Sequence, residues 1–287
     1  MASKSNGVEG SEWARAPPPT GTCMGRVAKI FYDPSDGSIL GRTPKRWGIA
    51  LVFYSVFYAV LALLFAACMG GLFLTLDENK PSFILESSLI GANPGVAFRP
   101  MPADGVLVEV TNNRTSESYV RQLREFLAPY SNDSWFTAKS GCTEEDNYGF
   151  PSSPCFFIKL NKIYGWIPDL YDVSDLPSDM GSDLVEYINS LQPPEREQIW
   201  VSCWAEAAGS GSVEYPWGAG LPARFFPYVN ERGYRAPLLP IRVTPNVSNS
   251  TIAIRCRAWA KNIRYNKSLK EPSGYARILL QVNDFDA

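Results

Sequence analysis

The longest uncharged run in the chain extends from Trp47 to Leu76, WGIALVFYSVFYAVLALLFAACMGGLFLTL. About 20 apolar residues cross a bilayer, so this run is long enough to span one with tilt, or with its ends in the interfaces. A cleaved signal has a short apolar run close to the N-terminus; here 46 residues precede a run that is too long. Residues 47–76 are therefore predicted to be a transmembrane helix. After it the period shortens. Val106, Val108 and Val110 alternate with Leu107 and Glu109, which predicts a strand. Tyr119, Leu123, Phe126, Leu127 and Tyr130 recur at helical spacing, which predicts one helix over 117–130 with Ser116 as its N-cap. Further alternations are Phe156/Ile158/Leu160, Ile199/Val201/Cys203, Ile252/Ile254/Cys256/Ala258 and Ile278/Leu280/Val282. Short strands with Pro- and Gly-rich connections and one helix predict an antiparallel β-sandwich over residues 105–287.

Charge orients the span. Arg26, Lys29, Arg42, Lys45 and Arg46 precede it, whereas Lys80 is the one base in the twenty residues after it, beside Asp77, Glu78 and Glu86. The positive-inside rule then predicts a cytosolic N-terminus and a lumenal or extracellular C-terminal part, the type II arrangement. All five N-x-S/T sequons, at Asn113, Asn132, Asn246, Asn249 and Asn266, follow the span, and their glycosylation needs lumenal exposure. Cys142, Cys155, Cys203 and Cys256 also follow it, an even number suited to an oxidising compartment. Cys23 and Cys68 are expected as free thiols, with Cys23 a candidate for lipidation. The tail, residues 1–46, is expected to be disordered over 1–25, where Gly, Ser, Pro and Ala dominate. Residues 77–104, with prolines at 81, 94, 100 and 102, are expected to form an extended stem.

Cys203 and Cys256 both fall in phase with the apolar face of their strands. A bridge between them would close a loop of about fifty residues, worth about 4 kcal/mol in the chain-entropy model. That leaves the local pair Cys142–Cys155, around a Gly-, Pro- and Asp-rich loop, as the favoured partner among three connectivities.

The chain contains no histidine, which removes Ser/His triads and His-ligated zinc. Its net charge of −2 argues against a generally basic nucleic-acid binder, and no nucleic-acid partner is expected. Type II topology is shared with Golgi glycosyltransferases, which carry an acidic D-x-D for a metal–nucleotide complex. The D-x-D here, Asp284-Phe285-Asp286, sits at the extreme C-terminus, where chain ends usually fray. Glu144, Glu145 and Asp146 form a second acidic run, read as a solvated loop. No catalytic residue, metal ligand or cofactor is expected.

The membrane run carries the more specific signal. Tyr54 and Tyr58 lie one turn apart, with Leu61 and Phe65 continuing the stripe. Trp47 fits an interfacial position, but Tyr54 and Tyr58 lie about 10 and 16 Å further in. Ala62, Ala66 and Gly70 form a small-residue ridge beside the stripe, a pattern that lets helices approach closely. Together they predict docking against other membrane helices.

In order along the chain, these residues resemble the β subunit of the sodium/potassium-transporting ATPase and of its close proton/potassium relative. The resemblance runs from about Phe31 to Val282. The cytosolic approach is Leu40-Gly41-Arg42-Thr43, and the span pattern FYxxFYxxLAxxF is Phe53, Tyr54, Phe57, Tyr58, Leu61, Ala62 and Phe65. The stem motif PGxxxRP is Pro94, Gly95, Arg99 and Pro100. Cys142 to Ile163 resembles a disulfide loop and strand, and Phe225-Phe226-Pro227-Tyr228, Tyr234 and Pro237-Leu238-Leu239 resemble an aromatic segment. Arg255 to Ile263 matches the final cysteine motif. Several pieces are worded most like arthropod-type members. The resemblance implies an immunoglobulin-like lumenal sandwich and a non-catalytic subunit of the plasma membrane. Its implied partner is the catalytic α subunit of a P-type ATPase, which it stabilises, escorts and tunes for potassium affinity. Membrane lipid and a small single-span regulatory subunit are further implied partners. Phe226, Pro227 and Tyr228 join the membrane stripe as implied partner-binding residues. The chain departs from the family in having four lumenal cysteines rather than six: the missing pair would fall between Tyr130 and Cys142, where eleven residues remain. A β subunit of a proton/potassium pump, a free-standing adhesion glycoprotein and, with less support, a Golgi transferase are the competing readings.

Overall fold

The structure is a computed structural model, and it describes residues 24, 27, 31–34, 37–89, 91–102, 104–111, 113–137, 141–268, 270 and 272–283. The expectations for residues 1–23, including Cys23, and for the terminal Asp284-Phe285-Asp286 lie outside the described residues. The chain divides into two compact units, Met1–Leu76 and Asp77–Ala287.

In the first unit, β1 (Tyr32–Asp33) pairs antiparallel with β2 (Ser38–Ile39), with Tyr32 opposite Ile39. Helix α1 (Pro44–Thr75) follows at once. It begins three residues before the expected Trp47, because Pro44 occupies the first helical turn, where its missing N–H costs nothing. The Trp47 indole donates to the Ile39 carbonyl at 2.8 Å, and the Arg42 guanidinium lies 5.6 Å from the indole centre, so the helix start is tied to the hairpin. Helix α1 has 32 residues, none of them buried, and is long and apolar enough to cross a membrane.

The second unit holds two sheets. One has the strand order β4 (Leu107–Val110), β11 (Tyr275–Val282), β10 (Thr251–Trp259), β6 (Gln198–Ala205), β8 (Gly220–Pro222). The other runs β3 (Val96–Arg99), β5 (Cys155–Leu160), β9 (Leu239–Pro245), β7 (Gly211–Glu214). All pairings are antiparallel except β4 with β11, so the expectation of a purely antiparallel domain is corrected there. The alternation read from the sequence holds at the core: Val108, Val110, Ile199, Val201, Ile254, Cys256, Ile278 and Leu280 from one sheet share a single core with Phe156, Ile158, Ile241 and Val243 from the other. Strand β5 is buried on both faces, with Phe157 also fully enclosed, because the rings of Tyr148 and Trp217 pack edge-on against it.

Helix α2 (Asn113–Leu127) buries Tyr119, Val120, Leu123 and Leu127 on one side. It starts earlier than expected, so Ser116 lies inside the first turn and is buried rather than capping. The expected end at Tyr130 belongs to a 3-10 turn, Ala128–Tyr130. Val96–Arg99, expected as stem, form an edge strand of the sheet. The pairing with β5 begins one residue earlier, where the Gly95 carbonyl accepts from the Asn161 amide at 2.8 Å. The expectation of one lumenal helix also needs correction. Besides the short α3 (Ser134–Thr137), helix α4 (Ser182–Ser190) covers the outer face of the five-stranded sheet. Its Leu184 and Ile188 pack with Trp200 and Trp259 into a second, smaller core.

Candidate partner-binding surfaces

On α1, four aromatic rings form two adjacent columns. Phe53 stacks on Phe57 at 6.3 Å and Tyr54 on Tyr58 at 6.2 Å, and the columns meet edge-on at 5.4 Å. The helical rise produces this, since residues four apart stand one above the other on a helix face. Tyr54, Tyr58, Leu61 and Phe65 are all exposed. Ala62, Ala66 and Gly70 are exposed too, and a β-carbon at Gly70 would meet nothing within 4 Å. The surface therefore combines ring faces with a low ridge, and both phenolic hydroxyls need hydrogen-bond partners once water is absent.

The second aromatic segment is built by the turn after β8. Phe226 is half-buried, edge-on to Trp166 at 5.6 Å and packed on the main core, so its ring anchors the segment. Pro227 is exposed. The Tyr228 carbonyl accepts from the Gly165 amide at 2.8 Å, and its hydroxyl donates to Asn230 Oδ1 at 3.0 Å. Its ring lies 4.9 Å from Tyr234 and 6.4 Å from Tyr164. Lys162 completes the group, its ammonium 5.0 Å from Tyr228 and 5.1 Å from Tyr234. Sequence reasoning did not select Lys162 or Tyr164, because the strand period ends at Leu160 and only the chain fold brings them beside Tyr228. Burial pushes the Tyr234 phenol above its usual range, with the neighbouring Tyr228 adding to it.

The cysteines are joined as Cys142–Cys155 and Cys203–Cys256. The second bridge links directly paired neighbours, Cys203 of β6 opposite Cys256 of β10, within one sheet. Beside the first, the acidic run is occupied locally. Asp146 Oδ1 accepts from the Thr143 and Tyr148 amides while its other oxygen pairs with Arg242 at 2.8 Å, and Glu144 pairs with Arg124 at 2.6 Å. Among the described residues no group of three or more His, Cys, Asp or Glu could hold a metal ion.

Where the family's further bridge would fall, aromatic rings are gathered instead. Tyr130 contacts Trp135 and Phe136, Phe136 meets Trp217 edge-on at 5.3 Å, and Trp135 lies 5.1 Å from Phe225. The Tyr130 hydroxyl donates to the Ala236 carbonyl at 3.0 Å, and burial pushes its phenol up to about 12. All five sequon asparagines are exposed: Asn113 heads α2, Asn132 lies in the turn before α3, Asn246 and Asn249 share the β9–β10 turn, and Asn266 lies between β10 and β11.

The family model "Sodium / potassium ATPase beta chain" matches residues 18–146 and 135–278. The chain is 34% identical to sodium/potassium-transporting ATPase subunit beta-1 of Drosophila melanogaster, over 86% of this chain and 89% of that one. It is 33% identical to the Drosophila subunit beta-2, over 95% and 97%. The human potassium-transporting ATPase subunit beta is 26% identical, over 91% and 96%. With the motifs, the long apolar helix and the β-rich domain in agreement, the chain belongs to the sodium/potassium ATPase beta chain family.

Proposed function

We propose that this chain is the non-catalytic β subunit of a P-type sodium/potassium pump, required for folding, stability and plasma-membrane delivery of the α subunit and for tuning its potassium affinity. The observation that carries the reading is the exposed aromatic face and small-residue ridge of α1 in a member of this family: a passive anchor has no need of either. The similarity to the two Drosophila sodium/potassium-transporting subunits, at 34% and 33% identity, supports that pump as the partner. Residues 1–46 are cytosolic, 47–76 span the plasma membrane and 77–287 are extracellular, in keeping with the basic collar and the one-sided, exposed sequons. Tyr54, Tyr58, Leu61, Ala62, Phe65, Ala66 and Gly70 face α in the bilayer, and Pro227 and Tyr228 face it outside, with Phe226 holding the segment in place.

The two-sheet domain is of immunoglobulin-like type, with the departures that one strand pair is parallel and that Cys203–Cys256 ties neighbours rather than bridging the sheets. Lipid surrounds α1, and a small single-span regulatory subunit is a further partner. Purification in mild detergent tests the function: a multispan P-type ATPase should co-purify stoichiometrically. Recovery of the chain alone, at normal yield and glycosylation, would instead favour a free-standing adhesion glycoprotein.

A further inference from the structure

The outer face of the five-stranded sheet carries a groove of about 740 Å³ beside α4, within the size range of ligand sites. Tyr187 and Trp204 line it, the latter 40% exposed. Arg257 lines it too, its guanidinium 3.5 Å from the ring centre of Trp259 and 4.0 Å from that of Tyr265, and it pairs with Asp179 at 2.5 Å. Asp183 adds a second carboxylate to the lining. We propose that this groove is a saccharide-binding site for a pyranose of an N-linked glycan, and that its occupant is the glycan of the adjacent sequon at Asn266.

The chemistry selects the ligand class. A pyranose has one face of C–H groups, which seat on the electron-rich faces of aromatic rings, and a rim of hydroxyls that donate and accept. A fixed guanidinium fork beside two carboxylates serves paired hydroxyls in both senses. A phosphate or sulfate would meet two carboxylates and one guanidinium already paired. A lipid chain would leave those charged groups without water. The occupant follows from continuity: Tyr265, which lines the groove, immediately precedes the exposed Asn266. A tether of that length holds the sugar at an effective concentration on the order of millimolar, so even a weak site is filled.

The proposal rests on the extracellular reading of the sequons given above, and glycopeptide mass spectrometry of the purified full-length chain separates the two. Modified sequons with Asn266 bare overturn this proposal alone; five bare sequons overturn the topology as well. On the same protein, acrylamide quenching assigned to Trp204 by difference from Trp204→Phe should rise about twofold in Asn266→Gln and stay unchanged in Asn249→Gln. Asn266→Gln should also bind added chitobiose with a millimolar Kd in ligand-observed NMR. That binding should be lost in a further Trp204→Ala change and weakened in Arg257→Lys, which keeps the charge but not the fork. Equal quenching in all glycoforms with no chitobiose binding overturns the site. Chitobiose binding with equal quenching overturns the occupant, and assigns the groove to a glycan of another molecule.

Discussion

Removing the Cys203–Cys256 bridge has a consequence whose size can be worked out. The two cysteines face each other across β6 and β10 and are 53 residues apart in sequence. In the chain-entropy model, closing a loop of that length removes about 4 kcal/mol of freedom from the unfolded chain, against about 3 kcal/mol for the 13-residue separation of Cys142–Cys155. The strands are already paired in register, so the bridge holds them without reshaping the sheet. Since domains are stable by only about 5–15 kcal/mol, its loss should leave the β-rich domain marginal. Cys256 is fully buried, and alanine is the cleaner replacement because a serine hydroxyl would add a buried polar group. With a urea slope of about 3 kcal/mol per molar, Cys203→Ala/Cys256→Ala should lower the midpoint by about 1.3 M. In cells the variant should be retained in the endoplasmic reticulum with immature glycans, and Cys142→Ala/Cys155→Ala should be milder. A midpoint within about 0.3 M of wild type, or a peptide map joining Cys142 to Cys203, would refute the reasoning.

Further outcomes concern topology, packing and pH. Glycosidase should lower the apparent mass in several steps, and a tag at Met1 should be reachable only after permeabilisation; detection on intact cells would reverse the orientation. Gly274→Ala places a methyl 2.5 Å from the Arg264 carbonyl oxygen at a φ of +69° and should cost about 1–3 kcal/mol in urea unfolding, whereas Gly181, with open space around it and no positive φ, gives no such clash. Burial pushes the Glu206 carboxyl up, but hydrogen bonds from Arg277 and Arg255 outweigh it and leave it below its ordinary value of 4.5. The ion pairs joining β10 and β11 to Glu206 are thus fully effective above pH 4.5 and are lost as pH falls below it. The urea midpoint of wild type should therefore fall more steeply there than that of Glu206→Gln; parallel curves would remove Glu206 from the account. Tyr54→Leu/Tyr58→Leu keeps the span apolar but removes one or two interhelical hydrogen bonds of about 0.6 kcal/mol each. Assembly should survive, with potassium activation shifted a few-fold; unchanged activation would make the tyrosines bystanders.

What the sequence disclosed depended on period. The thirty-residue uncharged run and the strands with an alternating inner face, such as Ile252 to Ala258, could be read directly because one face meets solvent or polar cover. Strand β9 escaped, since Leu239, Pro240 and Ile241 are all buried and alternation disappears. Val96–Arg99 escaped because the surrounding prolines dominate the stem. Helix α4 is only nine residues and buries just Leu184 and Ile188, too few for a stripe to stand out. Missing it also hid why Trp200 and Trp259, on the outward phase of their strands, are buried. The alignment of Tyr54 and Tyr58 along α1 was legible because it depends only on spacing within one helix. The Lys162–Tyr164–Tyr228–Tyr234 group was not, since it depends on a long-range approach of two loops.

If α1 docks against a catalytic subunit, the small-residue ridge is where one substitution should weigh most. Ala66→Leu adds three carbons where close approach is needed, while keeping the helix apolar and leaving the β-rich domain untouched. The measurement is the amount of P-type ATPase α subunit that co-purifies in mild detergent with Ala66→Leu, relative to wild type at equal expression and glycosylation. A docking helix gives a several-fold loss of co-purifying α, with Leu64→Ala on another part of the helix surface giving the wild-type amount. Full recovery of α with Ala66→Leu would contradict it and reduce this helix to an anchor.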